Sequence, residues 1–295
     1  MEKTWTVAKL LNETRKYFRN KGISTPRLDA EILLSHVLQL ERVQLYMNFD
    51  RPLTRMELSG YRNLVRRRAA REPVAYITGN KEFWSIPLKI TADVLIPRPD
   101  TEILVETVLE ILHQYNTDRP ARILEIGTGS GAISTALAHS HINIKILATD
   151  ISLNAVLLAK QNIYRYHLED RVQLMCADAF APLKNIPFFD LVVSNPPYIP
   201  SGAIDGLAPE ITKFEPRTAL DGGDDGIDFY RNICNSQCIN LRPGGFVVVE
   251  IGSDQGEKLR QLFAECGLFS EVEIKKDYSG HDRVVLARKK QGKAI

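Results

Sequence analysis

Cysteine is scarce in this chain. Four of its 295 residues are cysteine, Cys176, Cys234, Cys238 and Cys266, and no two are set in a C-x-x-C spacing. That pattern argues against a disulfide framework and against a thiolate zinc site, so reduced thiols and no metal are expected. No apolar run reaches the ~18 residues of a membrane span. The opening Met1-Glu2-Lys3-Thr4-Trp5 contains no apolar leader. Net charge is only +2, which gives no global signature for a polyanionic partner. Internal repeats and low-complexity stretches are absent as well. The expectation is a soluble cytoplasmic protein. Its 44% apolar content is enough for a full core, and its length suits one large or two ordinary domains.

Charge is spread unevenly. Residues 1–80 hold fifteen Lys and Arg against eight Asp and Glu, and Arg66-Arg67-Arg68 with Arg71 supplies much of the surplus. Such a cluster is either a solvated helix face or a surface for an acidic protein or RNA. The same region is patterned as helices. Thr6 is placed to cap a first helix carrying Leu10, Leu11, Thr14 and Phe18, which Gly22 ends. Pro26 opens a second, and Thr54 caps a third with Leu58, Tyr61, Leu64 and Val65 as its stripe. Residues 1–80 are therefore expected to form a small helical bundle domain. Between 73 and 100, Pro73, Gly79, Pro87, Pro97 and Pro99 break short β-like runs. Residues 81–100 are expected to form a linker or hairpin, with Asp100 capping the helix that follows.

From 101 to 295 the periodicity switches. Strands are expected at 122–126, 146–150, 172–175, 190–194 and 245–250, with helices between them, and a final antiparallel pair at 271–275 and 283–287. Strand–helix alternation implies an α/β fold with a doubly wound, seven-stranded, Rossmann-like sheet.

Gly127-Thr128-Gly129-Ser130-Gly131 falls between the first of these strands and its helix. Glycines there let the backbone turn sharply and let a ligand approach. Asp150 ends the second strand about 20 residues later, where an acid can hold ribose hydroxyls. These two features suit either NAD or S-adenosylmethionine. Three details favour the second. Glu125 precedes the loop as E-x-G-x-G-x-G and suits a cationic amino group. Asp178 lies beyond the third strand, within reach of an adenine. Ser194-Asn195-Pro196-Pro197-Tyr198 follows the fourth strand, which adjoins the first in a doubly wound sheet. In that corner Pro196 and Pro197 each fix their own φ and remove a donor. The result is a rigid corner with carbonyl acceptors and one aromatic face, suited to gripping a planar NH2 group.

E-x-G-x-G-x-G with N-P-P-Y resembles the class I methyltransferases that act on planar NH2 groups, both adenine-N6 enzymes and protein glutamine-N5 enzymes. Longer segments separate them. Residues 72–79, Glu82-Phe83-Trp84, Ile96-Pro97-Arg98-Pro99-Asp100-Thr101-Glu102 and Phe214-Glu215-Pro216-Arg217-Thr218-Ala219-Leu220-Asp221-Gly222-Gly223 are similar to the release factor glutamine methyltransferases, the HemK/PrmC family. The resemblance implies methyl transfer from S-adenosylmethionine to the glutamine of the Gly-Gly-Gln motif in peptide chain release factors. It assigns Gly127 to Gly131 and Asp150 to the cofactor, Asn195 to both cofactor and substrate, and Pro196, Pro197 and Tyr198 to the glutamine; Glu125, Asp178 and Ala179 are expected at the cofactor as well. Many members place a bulky aromatic where Ala179 stands here, and Phe180 follows it. The expected partner is the release factor, with a monomeric enzyme and no requirement for nucleic acid.

The residues permit a mechanism. A carboxamide nitrogen is a poor nucleophile because its lone pair is delocalised. The Asn195 side-chain oxygen and the Pro196 carbonyl can each accept one of its N–H groups. Two fixed acceptors orient the lone pair and stabilise the positive charge that develops. Tyr198 is expected to stack on the amide and add roughly 0.5–2 kcal/mol. An adenine-N6 methyltransferase would use the same corner on a flipped base. A non-catalytic cofactor- or RNA-binding module that kept the fold is the reading from another class.

Overall fold

A computed structural model describes residues 4–114, 118–178, 188–235 and 240–291. The chain divides into two compact units, Met1–Asn80 with Ala208–Phe214, and Lys81–Leu207 with Glu215–Ile295.

In the helical unit, α1 (Val7–Asn20), α2 (Pro26–Leu38), α3 (Arg42–Met47), α4 (Arg55–Ala69) and α5 (Val74–Thr78) follow one another. The expected start signals hold. Thr6 accepts from the Lys9 N–H, Pro26 takes the first turn of α2, and Thr54 with Glu57 forms a capping box on α4. Val7, Leu10, Phe18, Leu33, Leu34, Leu45 and Tyr61 make the core, and the Tyr61 hydroxyl donates to the Ala30 carbonyl at 3.1 Å. The short α3 and α5 carry too few apolar repeats to show a period.

Three of the four arginines of the basic cluster are paired with acids, and Arg66 is exposed. Arg68 is buried, donates to Asp29 at 2.6 Å, and reaches Glu210 at 3.0 Å. Arg71 pairs with the other Glu210 oxygen at 2.9 Å, and Arg67 pairs with Glu72. Glu210 belongs to the short helix Pro209–Phe214, the piece of later chain that folds with this unit.

The second unit opens with a hairpin of β1 (Asn80–Phe83) and β2 (Ile86–Lys89). The sequence pattern reads Phe83-Trp84-Ser85-Ile86 as one β-like run, but Trp84 and Ser85, at φ 54° and 57°, form the turn where the chain reverses. A 3-10 turn at Pro99–Thr101 precedes α6 (Glu102–Gln114). Asp100 lies within that turn and pairs with Arg283 at 3.3 Å rather than capping the helix. Next come β3 (Ala121–Ile126), α7 (Ala132–Ser140), β4 (Ile144–Asp150), α8 (Leu153–Arg165), β5 (Val172–Cys176) and β6 (Phe189–Ser194). The Pro209–Phe214 helix is α9. After it follow α10 (Asp228–Asn235), β7 (Leu241–Glu250), α11 (Gly256–Glu265), β8 (Phe269–Lys276) and β9 (Asp282–Lys289). The sequence pattern places a helix from Asp225 to about Asn240, but α10 starts three residues later and Asn240, at φ 42°, is not helical.

The seven strands lie in the order β5-β4-β3-β6-β7-β9-β8. The first five neighbours run parallel, and β9 is antiparallel to both β7 and β8. Helix-covered parallel strands are buried on both faces, which is why β6 is buried at all six positions. Strand order reverses at β3, between β4 and β6. Ligands of open α/β sheets bind outside the carboxyl ends at such a switch point, and the glycine loop, Asp150 and the Asn195 corner are the segments that leave those ends.

Candidate active site

At the switch point lies a cavity of about 300 Å³. Its wall includes Gly127, Thr128, Gly129, Ser130, Asp150, Asp178, Asn195, Pro196 and Pro197. Segments far apart in the chain are thus brought together much as expected from sequence.

The loop owes its shape to its glycines. Gly129 holds φ 54°, a left-handed value, and a Cβ placed on it would meet nothing within 4 Å. It is a cradle open to the cavity. Gly131 is different: its Cβ would stand 3.1 Å from that of Ala159, so its bareness lets α8 pack against the start of α7. Asp150 ties the two βα turns together. One carboxylate oxygen accepts from the Gly129 N–H at 2.8 Å, the other from the Ser152 N–H at 2.9 Å. Behind the loop, the buried Asn162 side chain donates to the Ser130 carbonyl and exchanges two hydrogen bonds with the Lys89 backbone in the hairpin.

The corner is braced on several sides. The Asn195 Nδ2 donates to the Thr101 hydroxyl at 3.1 Å. That bond occupies the amino end of the carboxamide and leaves Oδ1 as its acceptor. The Tyr198 carbonyl accepts from Gln255 Nε2 at 2.9 Å, and that nitrogen also reaches the Gly226 carbonyl. Ile199 and Gly222 pair backbone to backbone at 2.9 Å. A Cβ on Gly222 would sit 2.9 Å from both the Pro197 oxygen and the Tyr198 Cα, so only glycine lets this segment lie against the corner.

The two long segments beside the corner meet each other. Arg98 donates to Glu215 at 2.6 Å, and the Glu215 side chain is almost fully buried. Burial pushes the Glu215 carboxyl up despite the counter-pull of Arg98. From this clamp Pro97, Thr101, Pro216, Thr218 and Ala219 reach the cavity wall.

Some expected site residues are placed elsewhere. Glu125 is not on the cavity wall. It lies beneath the loop, where Ser134 of α7 donates to its carboxylate and burial pushes its pKa up to about 7. Tyr198 is likewise absent from the wall. Its ring packs on the core around Tyr230 and Val249, its hydroxyl donates to Glu250 at 3.3 Å, and burial raises its pKa. Ala179 and Phe180 lie outside the described residues. Conversely, Thr101, Thr218, Phe229 and Gln255 were not singled out individually. Thr101 and Thr218 stood within family-like segments, whereas Phe229 and Gln255 begin helices and carry no local pattern of their own.

Two family models match the chain. The PrmC N-terminal domain covers residues 9–79 and the methyltransferase small domain covers residues 100–213. A release factor glutamine methyltransferase of Geobacter sulfurreducens is 44% identical over 96% of this chain and 97% of its own length. One from Rhodopirellula baltica is 40% identical over 97% of each. Among solved structures, the hMettl16 catalytic domain in complex with a 3'UTR hairpin shares the fold, with a TM-score of 0.57 and 17% identity over 79% of this chain and 84% of that one.

Proposed function

The chain belongs to the release factor glutamine methyltransferases, and we propose on that footing that it methylates the side-chain amide of the glutamine in the Gly-Gly-Gln motif of peptide chain release factors. It is a methyltransferase, and S-adenosylmethionine is its methyl donor. The observation that carries the substrate reading is the corner: an Asn195 carboxamide whose amino end is occupied by Thr101, beside a Pro196 with no N–H, both on the wall of the glycine-loop cavity.

S-adenosylmethionine supplies an electrophilic methyl on a sulfonium sulfur. The bare cradle at Gly127 and Gly129 suits it, and these residues with Asp150 and Asp178 would hold it. The remaining work falls to the corner. Asn195 Oδ1 and the Pro196 carbonyl accept the two N–H groups of the substrate amide, which turns its lone pair towards the methyl. The same acceptors stabilise the cationic character the nitrogen gains during attack. The methylated nitrogen is then acidic and releases its proton to solvent, with no dedicated base. Tyr198, anchored outside the wall, is assigned to seating the corner rather than to stacking on the amide.

The helical unit is the part assigned to docking the release factor. The protein is taken to act in the cytoplasm as a monomer. Among the described residues no helix is long and apolar enough to cross a membrane. One experiment tests the substrate: incubation with labelled S-adenosylmethionine and either release factor or DNA, followed by mass spectrometry of the labelled residue. Label on the Gly-Gly-Gln glutamine is expected, and label on adenine instead would overturn the reading. In the same assay Asn195→Ala should lower turnover at least a hundredfold while binding cofactor within about threefold of wild type. Near-normal turnover would remove Asn195 from its role.

A further inference from the structure

Behind the corner, a side-chain network connects Asn195 and Tyr198 to one acid. Asn195 Nδ2 donates to Thr101 Oγ1 at 3.1 Å, and the Tyr198 hydroxyl donates to Glu250 Oε1 at 3.3 Å. Thr101 also lies beside the Glu250 carboxylate, where its hydroxyl favours the ionised form. Thr101 is 3% exposed and Glu250 is 1% exposed, so neither has water to fall back on. Glu250 Oε2 is buried without a hydrogen-bond partner, which leaves an acceptor beside a hydroxyl. Glu250 is the last residue of β7, and its own carbonyl accepts from Tyr230 at 2.6 Å, so the backbone beneath the carboxylate is held.

We propose that Thr101 and Glu250 are positioning residues for methyl transfer, which together set the orientation of the Asn195 carboxamide and the seat of Tyr198. The inference rests on the glutamine methyltransferase reading and goes further, to a residue of the cavity wall and the buried acid behind it, which act through Asn195 and Tyr198.

The reason lies in how many protons each group carries. A carboxamide can be seated either way round, as donor or as acceptor. A threonine hydroxyl has one proton and two lone pairs. Facing an ionised carboxylate, that proton is drawn towards Glu250, and only lone pairs remain for Asn195. Asn195 must then present Nδ2 to Thr101, which turns Oδ1 to the substrate side as the acceptor the reaction needs. With Glu250 neutral the constraint is lost. The threonine proton can pass to Asn195 Oδ1, the carboxamide flips, and two donors face the substrate NH2. The same carboxylate accepts from Tyr198, so both residues of the corner answer to one charge.

The charge of Glu250 is itself finely held. Burial raises its pKa to about 7. The groups that face it are Thr101 and Asp100 on the 3-10 turn, Arg283 on β9, Tyr198 after β6, and Tyr230 on α10 through the backbone. Arg283 and the two hydroxyls favour the ionised form, and Asp100 opposes it. Transfer should therefore weaken as pH falls through neutrality, in step with protonation of Glu250.

Four proteins decide the matter: wild type, Glu250→Gln, Thr101→Val and Thr101→Ser. Each is assayed for single-turnover methylation of a release factor between pH 5.5 and 9, with melting temperature and calorimetric cofactor affinity measured in parallel. Wild type should lose rate towards acid pH. Glu250→Gln and Thr101→Val should each be at least tenfold slower at pH 8, with cofactor affinity within twofold, and Glu250→Gln should lack the acid limb. Thr101→Ser should recover to within threefold of wild type. If Glu250→Gln melts too low to assay, the contrast between Thr101→Val and Thr101→Ser decides alone. Thr101→Val within twofold of wild type, or an unchanged acid limb in Glu250→Gln, overturns the proposal. A wild type that labels no glutamine overturns instead the functional reading on which it rests.

Discussion

Asp150 and Glu125 were both expected at the cofactor, and their surroundings now separate them. Asp150 stands on the cavity wall, where each oxygen takes a backbone N–H and keeps a second lone pair for a ligand. Glu125 is sealed below the loop with a raised pKa. Asp150→Ala should weaken S-adenosylmethionine binding by about 1–3 kcal/mol, whereas Glu125→Gln should leave it within twofold, as titration calorimetry would show. Equal losses in both would put Glu125 back at the ligand. The Glu125 variant should instead change stability. The folded state keeps a proton on Glu125 that the unfolded chain releases, so wild-type stability declines as pH rises from the ordinary carboxylate range to about 7. Glu125→Gln should flatten that decline in chemical denaturation measured across the range. The sequence showed an acid before a glycine loop. Which way its side chain points depends on the strand pleat and on Ser134 of α7, and neither is legible in the motif.

Among elements, the parallel strands and their order were the most legible. Apolar runs such as Leu191-Val192-Val193 declare a strand buried on both faces, and the motifs at their ends identify the switch point. Less legible was how the connecting segments brace one another, because that depends on single side chains meeting across long separations. The Arg98–Glu215 clamp is the case in point: two segments recognised separately turn out to be partners. Arg98→Met should cost about 2–4 kcal/mol at pH 8, below the value for a fully buried pair because Arg98 is about a third exposed. The loss should shrink at pH 5. Glu215 already has a raised pKa, and without Arg98 it would bind a proton more tightly still, so the folded state is penalised most where solution pH strips that proton. Thermal melts at the two pH values check this, and a pH-independent loss would count against an uncompensated charge as the cause.

At the scale of the whole molecule, composition proved a poor guide to the first eighty residues. Their positive surplus is real, yet Arg67, Arg68 and Arg71 are spent on Glu72, Asp29 and Glu210. A count of charges cannot see a partner 142 residues away. A protein cut to residues 81–295 would keep α9 and lose both arginines that hold Glu210. A six-residue helix has little stability of its own, so its amides should exchange at least tenfold faster there than in the full chain, while β3 to β7 stay protected. Hydrogen exchange read by mass spectrometry tests this, and equal protection of 208–214 in both proteins would show that the helical unit is not what holds α9.

The borrowed helix also bears on how such a protein can be inherited. The polypeptide passes between the two units three times, after residues 80, 207 and 214. A single genetic crossover at codon 80 would supply a new helical unit but leave the old Ala208–Phe214 inside the other half of the gene. The recombinant would then set a foreign surface against Glu210, with no assurance of an Arg68 to meet it. Exchange of the whole unit needs two separate stretches of coding sequence to move together. The enzyme's halves are thus expected to descend as a pair, changing by matched point substitutions on α4 and α9 rather than by shuffling.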